Sequence, residues 1–406
     1  MENVFVGDVI SVSIGLSREQ DPVKAVREAM QQARAGLSRE QVSLAVVFST
    51  INLAHPATLE IINTLLGEVP VIGCTGAALI TNKGIFSCGL AIVLLSLPKA
   101  TYFNTALVQE IHNKTALAAG EDLGEKLLHN FHGTRRDLGI VFCDGLVEEG
   151  WSLIHGLQER LGTSFPLIAA FAADNLRFAK SSVYFNRQVS SDAATGILWG
   201  GRLDFSWGIR HGWKPLGKPH LITRSAENVV YDIDTEPAAK VYADYLGVGV
   251  DGLKKELKRI SVFYPMGIYL PGIEEYLLRS VKSIGEDGSL VFHGNIPQDS
   301  TIRLMIGTKD SCLDAAGQAL SEAKAGLQLT PENKVGIAFI FESVSRYLLF
   351  GRDAEKELKI AKETLGKDTP IIGIYTYGEQ APLRMINYQG KTYFHNQTIT
   401  VLAIGG

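Results

Sequence analysis

The 406-residue chain holds only four cysteines, Cys74, Cys88, Cys143 and Cys312, and no two of them form a Cys-x-x-Cys pair. Neither a zinc ribbon nor a disulfide framework is indicated, and a reducing cytoplasm suits such usage. Long hydrophobic runs are also missing. The longest, from Gly89 to Leu97, is about half of the roughly 20 residues that a membrane-spanning helix needs. The first residues, Met1-Glu2-Asn3-Val4-Phe5, lack the basic start of a secretion signal. Charge of one sign is scarce as well: 39 Lys and Arg balance 43 Asp and Glu, a net −4. The one basic stretch, Lys254 to Arg259, is interrupted by Glu256 and reads as a solvated helix face, so nucleic acid is not expected as a partner.

With 46% hydrophobic and 20% charged residues, the composition is that of a globular protein long enough for two or three domains. A short unit recurs three times: a helix ending in Leu-Gly, a Pro, then an apolar strand. The copies are Leu66-Gly67 to Gly73, Leu161-Gly162 to Ala169, and Leu365-Gly366 to Gly373. Gly past a helix end supplies a left-handed cap, while Pro stops the helix and can open a strand. Each copy follows an apolar strand (Leu44 to Phe48, Gly139 to Phe142, Gly336 to Phe341), which makes the pattern β-α-β with buried strands. Two further strand-like runs close each copy, ending at Leu97, Trp199 and Ile404. The expected fold class is α/β, built from duplicated or triplicated βαβ-containing units with mixed sheets.

Two finer equivalences are also expected. The pair formed by Ala91 to Leu95 and a helix near 116–128 parallels Ile302 to Ile306 and a helix near 313–325. Tyr184-Phe185 and Tyr393-Phe394 occupy matching hairpin positions. A domain junction is expected near Asp234 to Pro237.

Gly247-x-Gly249-x-x-Gly252 follows a helix and lacks the βαβ turn a dinucleotide needs, so it is read as a loop. Asp232 and Asp234 alternate on a strand without a third oxygen ligand, and no metal is expected there. Cys74 and Thr75 end a strand where open α/β sheets place ligands, and Cys74 is read as lining a pocket in preference to acting as a nucleophile. The corresponding loops carry Asp174-Asn175 and Tyr375-Thr376-Tyr377-Gly378-Glu379, hydroxyl and carboxyl groups suited to orienting a polar ligand. Arg346 follows a buried strand, where it either forks onto a ligand carboxylate or forms a structural ion pair. His211 and His395 each sit beside an aromatic residue and are the candidates for a haem iron, with a structural role as the plainer reading.

These strings resemble the FIST family. The resemblance rests on Pro70 to Gly76, the Asp174 loop, His211 to Gly217 and Asp234 to Ala238 in the first part. In the second it rests on Tyr264-Pro265, Phe341 to Arg346 with Gly351, Gly373 to Glu379, and Phe394 to Thr398. It implies an N-terminal FIST domain over residues 43–236, joined by a strand and helix within 1–42, and a C-terminal FIST domain over 237–406. Ala169-Ala170 and Ser343 depart from the family's usual Gly-Gly and Cys. The resemblance implies a cytoplasmic sensor of small ligands such as amino acids, without catalysis. Some members bind haem and report nitric oxide to histidine kinases. No output segment is visible, so a separate signalling partner is expected. The expected ligand site draws on Cys74, Thr75, Asp174, Asn175, Arg346, Tyr375, Tyr377, Glu379 and Asn396.

Overall fold

The computed structural model describes residues 10–38, 41–129, 131, 135–273, 275–330, 334–385 and 388–406. Residues 1–9, 39 and 40 of the expected N-terminal segment therefore lie outside the described residues. The chain runs through three units of the same plan. The first comprises β1 (Ser11–Ser17), α1 (Pro22–Gly36), β2 (Leu44–Ser49), α2 (Pro56–Leu66), β3 (Val71–Thr75), a hairpin of β4 (Leu79–Thr81) and β5 (Gly84–Phe86), and β6 (Leu90–Ser96). The second comprises β7 (Tyr102–Val108), α3 (Ala116–Leu128), β8 (Leu138–Cys143), α4 (Gly150–Leu161), β9 (Leu167–Phe171), the hairpin β10 (Val183–Phe185) and β11 (Gln188–Ser190), and β12 (Ala194–Gly200).

The third unit begins with β13 (Phe205–Arg210) and is then interrupted by an insert. The insert contains β14 (Lys214–Ala226), β15 (Val229–Ile233), β16 (Glu236–Pro237), α5 (Ala238–Tyr245), α6 (Val250–Phe263), β17 (Met266–Ile268), β18 (Leu277–Arg279), β19 (Val281–Ile284), β20 (Leu290–Phe292) and β21 (Thr301–Ile306). The unit resumes with α7 (Lys309–Ala325), β22 (Val335–Ser343), α8 (Val344–Phe350), α9 (Glu355–Leu365), β23 (Ile371–Thr376), the hairpin β24 (Gly378–Met385) and β25 (Tyr388–His395), and β26 (Ile399–Gly405).

The Gly and Pro punctuation performs the same task in each unit. Gly67, Gly162 and Gly366 end their helices at positive φ (69°, 111° and 119°), a conformation that a Cβ would penalise. Pro70, Pro166 and Pro370 then accept from the amides of Ala45, Gly139 and Ala338 at 2.9, 3.0 and 2.9 Å, starting the parallel pairs β2–β3, β8–β9 and β22–β23.

The hairpins do not stay with their own units. That of the first unit joins β23, that of the second joins β3, and that of the third joins β9. The three six-stranded sheets consequently share one order by role: first strand, last strand, the two parallel strands, then a borrowed hairpin. Their inner faces enclose one core. Equivalent residues Phe48, Phe142 and Phe341 meet at its centre, with ring centroids 5.4, 6.3 and 6.0 Å apart in edge-to-face arrangement.

Two finer expectations are corrected. Neither strand of the expected pair stands before its helix in a unit: Ala91 to Leu95 lie in β6, which closes the first unit, and Ile302 to Ile306 lie in β21 of the insert. The matching pairs are β7 with α3 and β13 with α7. Tyr184 lies on the first strand of its hairpin and Tyr393 on the second, so these strings are not equivalent. The insert forms an eight-stranded sheet with its own core, backed by α5 and α6. Its β15 and β16 pair on either side of residues 234 and 235. Gly247 and Gly249 link α5 to α6, but Gly252, expected in the same loop, lies in the first turn of α6. No helix among the described residues is long and apolar enough to cross a membrane.

Candidate functional site

The three loops singled out by their sequence converge where the parallel strands end. Thr75 donates its amide to Ser182 O (2.9 Å) and accepts from Ser182 N at its hydroxyl (3.1 Å). Ala173 N reaches Thr75 O, Ala77 N reaches Tyr375 O, and Tyr377 N reaches Phe171 O, at 3.0, 2.9 and 3.0 Å. Each unit is thus tied to the next in a closed cycle. Cys74 points into the shared core, and burial pushes its thiol well above the ordinary value, a poor setting for a nucleophile.

Asp174 organises its own loop. Its carboxylate accepts from the amides of Arg177, Phe178, Ala179 and Lys180 at 2.8 to 3.1 Å and from the Tyr377 hydroxyl. Burial pulls its pKa upward, but these donors outweigh it and leave the group below the usual carboxylate range. The loop presents Phe178 outward, at φ 53° and stacked on Tyr377 with centroids 4.1 Å apart, while Asn175 is exposed. Asp174→Ala should release four amides and cost about 2 kcal/mol, since several charge-assisted bonds are lost together. Hydrogen exchange checks this: amides 177–180 should exchange much faster, with the strand amides unchanged.

Superposing the units by their strand register shows where the third departs. Glu379 pairs with Ala170, as Val183 pairs with Cys74 and Leu79 with Ile374. A carboxyl group therefore holds a place that is apolar and core-facing in the other two units. Its partners are the hydroxyls of Thr376 and Thr398, the latter at 2.7 Å. Burial raises its pKa from 4.5 to about 8. The folded state thus holds a proton that the unfolded chain gives up above its own pKa. Stability should fall between pH 4.5 and 8, by up to about 1.4 kcal/mol per unit. Urea unfolding of wild type and Glu379→Gln at pH 5 and 8 checks the sign, because the variant should gain on wild type as pH rises and a constant difference would refute it.

A second departure of the third unit lies in its own sheet, on β22. Glu342 stands where the other units have Ser49 and Cys143, judged from the pairings Glu342–Tyr375, Ser49–Thr75 and Cys143–Phe171. Arg346, fully buried, spans Glu342 (3.1 Å) and Glu357 and donates to the carbonyls of His211 (2.5 Å) and Cys312 (2.9 Å). Four of its five N–H groups are used in this way. Burial and the neighbouring Glu357 raise the pKa of Glu342 well above the ordinary value, despite Arg346. Tyr375 packs on Tyr347, and the Tyr375 hydroxyl is buried without a partner among the described residues.

This cluster faces the seam between the insert and the three-unit body. Across it, Asn396 Oδ1 accepts from Ser280 N (3.1 Å), and Gln397, at φ 59°, donates to Ser261 O (3.4 Å) and Ser280 Oγ. His211 accepts the Trp213 amide at Nδ1 (2.8 Å) and places Nε2 2.6 Å from Glu275. Burial pulls Glu275 up, yet His211 and Arg210 together bring it down to about 2. His395 Nε2 lies 3.1 Å from the Ala381 carbonyl, and burial lowers the pKa of His395 to about 3. Neither imidazole fits axial ligation of a haem, because each is buried and has its Nε2 engaged by the protein. No cluster of three or more His, Cys, Asp or Glu suited to a metal occurs among the described residues.

The loops that sequence reasoning singled out therefore meet, but their polar groups largely satisfy one another. Arg346, Asn396 and the two histidines instead line or approach the seam, while Tyr375 lies in the core of the third unit. Sequence reasoning missed Glu342, Glu357, Glu275 and Arg279. Aligning the copies by register would have exposed Glu342 as a charge in an otherwise uncharged position.

Residues 43–236 match the family model of the FIST N domain, and residues 238–382 match that of the FIST C domain. An uncharacterized protein of Methanocaldococcus jannaschii is 24% identical over 311 residues, covering 70% of this chain and 58% of the archaeal protein. The chain thus spans less than two thirds of that relative's length. An uncharacterized protein of Mycobacterium tuberculosis is 22% identical over 409 residues, covering 96% of this chain and 97% of that protein; one of Mycobacterium bovis matches equally.

Proposed function

Because the chain belongs to the FIST family, whose domains are associated with sensory signal transduction, we propose that it is a sensor that binds a small ligand, such as an amino acid, at the seam. The observation that carries this reading is the seam itself. Two bodies meet there through a shared apolar cluster that includes Trp213, Leu278, Met305 and Phe350 and through buried polar side chains, and Gln397 Oε1 is left without a partner among the described residues. Buried polar groups of this kind are costly until something bonds to them. A ligand that supplies those bonds in one relative orientation of the bodies favours that orientation, and a partner can read the difference. The protein's role is recognition without catalysis, in the cytoplasm, with the output carried by a separate signalling protein such as a histidine kinase.

A melting screen against amino acids and related metabolites tests this reading. A compound at 100 times its dissociation constant adds about 2.7 kcal/mol of stability. The expected hit loses most of its shift in Gln397→Ala. The absence of any shift, or shifts unchanged in that variant, would remove the seam from the account.

A further inference from the structure

Arg279, at the end of β18, is 5% exposed and has no carboxylate partner among the described residues. Its Nε donates to Asn295 O (3.0 Å), and its Nη1 donates to Leu278 O and Phe394 O (2.9 Å each). Three of its five N–H groups are thereby used, all on neutral carbonyls. Gly294, at φ 117°, leaves room for the guanidinium, since a Cβ there would stand 2.8 Å from Nε.

Every other buried arginine described above is paired. Arg346 has two carboxylates, and the partly buried Arg210 has Glu275 and Glu322. Removing a charge from water is expensive unless an opposite charge replaces the lost hydration, and carbonyl dipoles replace it only in part. Consistent with this, burial brings Arg279 down to about 9. The residue bridges the two bodies through the Phe394 carbonyl, next to His395 and the Asn396–Gln397 pair that docks on Ser280. Among the described residues nothing bonds to Arg279 Nη2, and in the same seam the buried acceptor Gln397 Oε1 is also without a partner.

We propose that Arg279 is the anchor for a small carboxylate, whose anionic oxygen takes the Nη2 donors and supplies the missing counter-charge at the seam. This rests on the sensor reading above and names the chemical class of its ligand. The carboxylate would draw β18 and the β25 end together, because Arg279 already holds a carbonyl on each.

The test titrates wild type and Arg279→Gln with sodium acetate, sodium phosphate and neutral acetamide against sodium chloride at equal ionic strength. Melting temperature and calorimetry are the readouts. The expected result is a saturable response of wild type to acetate, none to acetamide, and a response at least about tenfold weaker in a variant that keeps its far-ultraviolet spectrum; a tenfold loss corresponds to about 1.4 kcal/mol. Equal responses in both proteins, a response to phosphate alone, or none at all overturn the assignment. A wild-type crystal soaked in sodium acetate keeps the test independent of how the variant folds: carboxylate density must appear beside Arg279, and its absence there overturns the assignment. A metabolite from the melting screen whose binding survives Arg279→Gln overturns it while leaving the sensor reading in place. Acetate binding that depends on Arg279, without any metabolite acting at the seam, supports the anchor and removes the sensor reading.

Discussion

Arg346→Ala should cost about 3–5 kcal/mol of folding stability, the range expected when one partner of a buried charge cluster is removed. The side chain is wholly buried and holds Glu342 and Glu357 together while closing the carbonyls of His211 and Cys312. Without it, two carboxyl groups share a dry pocket with no counter-charge. Urea denaturation is the measurement. A second substitution, Glu357→Gln, should recover part of the loss, giving a coupling that a double-mutant cycle reads directly. A loss below about 1 kcal/mol would show that the cluster is hydrated and that Arg346 is free for other work.

Phe142→Ala should cost a similar 3–5 kcal/mol, through the cavity it leaves among the rings at the centre of the shared core. The more informative aspect is cooperativity. Each sheet contains a hairpin from another unit, so no unit can melt alone without breaking its neighbour's sheet. Circular dichroism and tryptophan fluorescence should therefore report coincident transitions of the three-unit body in both wild type and variant. Separate transitions for the three units would contradict the hairpin exchange.

The three units were legible because their punctuation is local. A glycine that ends a helix and a proline that opens a strand act within a few residues, and the chain repeats them at Gly67–Pro70, Gly162–Pro166 and Gly366–Pro370. The destination of the hairpins was not legible, since Leu79 and Val183 read as core residues whichever sheet they complete. Pairing between distant strands has no marker within either strand. The insert disguised the third unit by separating β13 from α7, so the nearest strand in sequence, β21, took its place in the reading.

The site shows the same division. Thr75, Asp174, Tyr377 and Glu379 were legible as a converging set because strand ends in α/β units are natural meeting points. That they would satisfy one another was not legible, because it depends on distances across three units. Arg279 had no sequence marker at all. Among the described residues it has no carboxylate partner, and only the surroundings of the folded side chain reveal that.

The most direct measurement of the central claim is hydrogen exchange with and without the compound that gives the largest melting shift. Binding at the seam predicts slowed exchange on both of its sides, in β18 and at residues 394–398, with α1 and α2 unchanged. Protection confined to the three-loop junction or to the outer helices, with β18 unaffected, would contradict it.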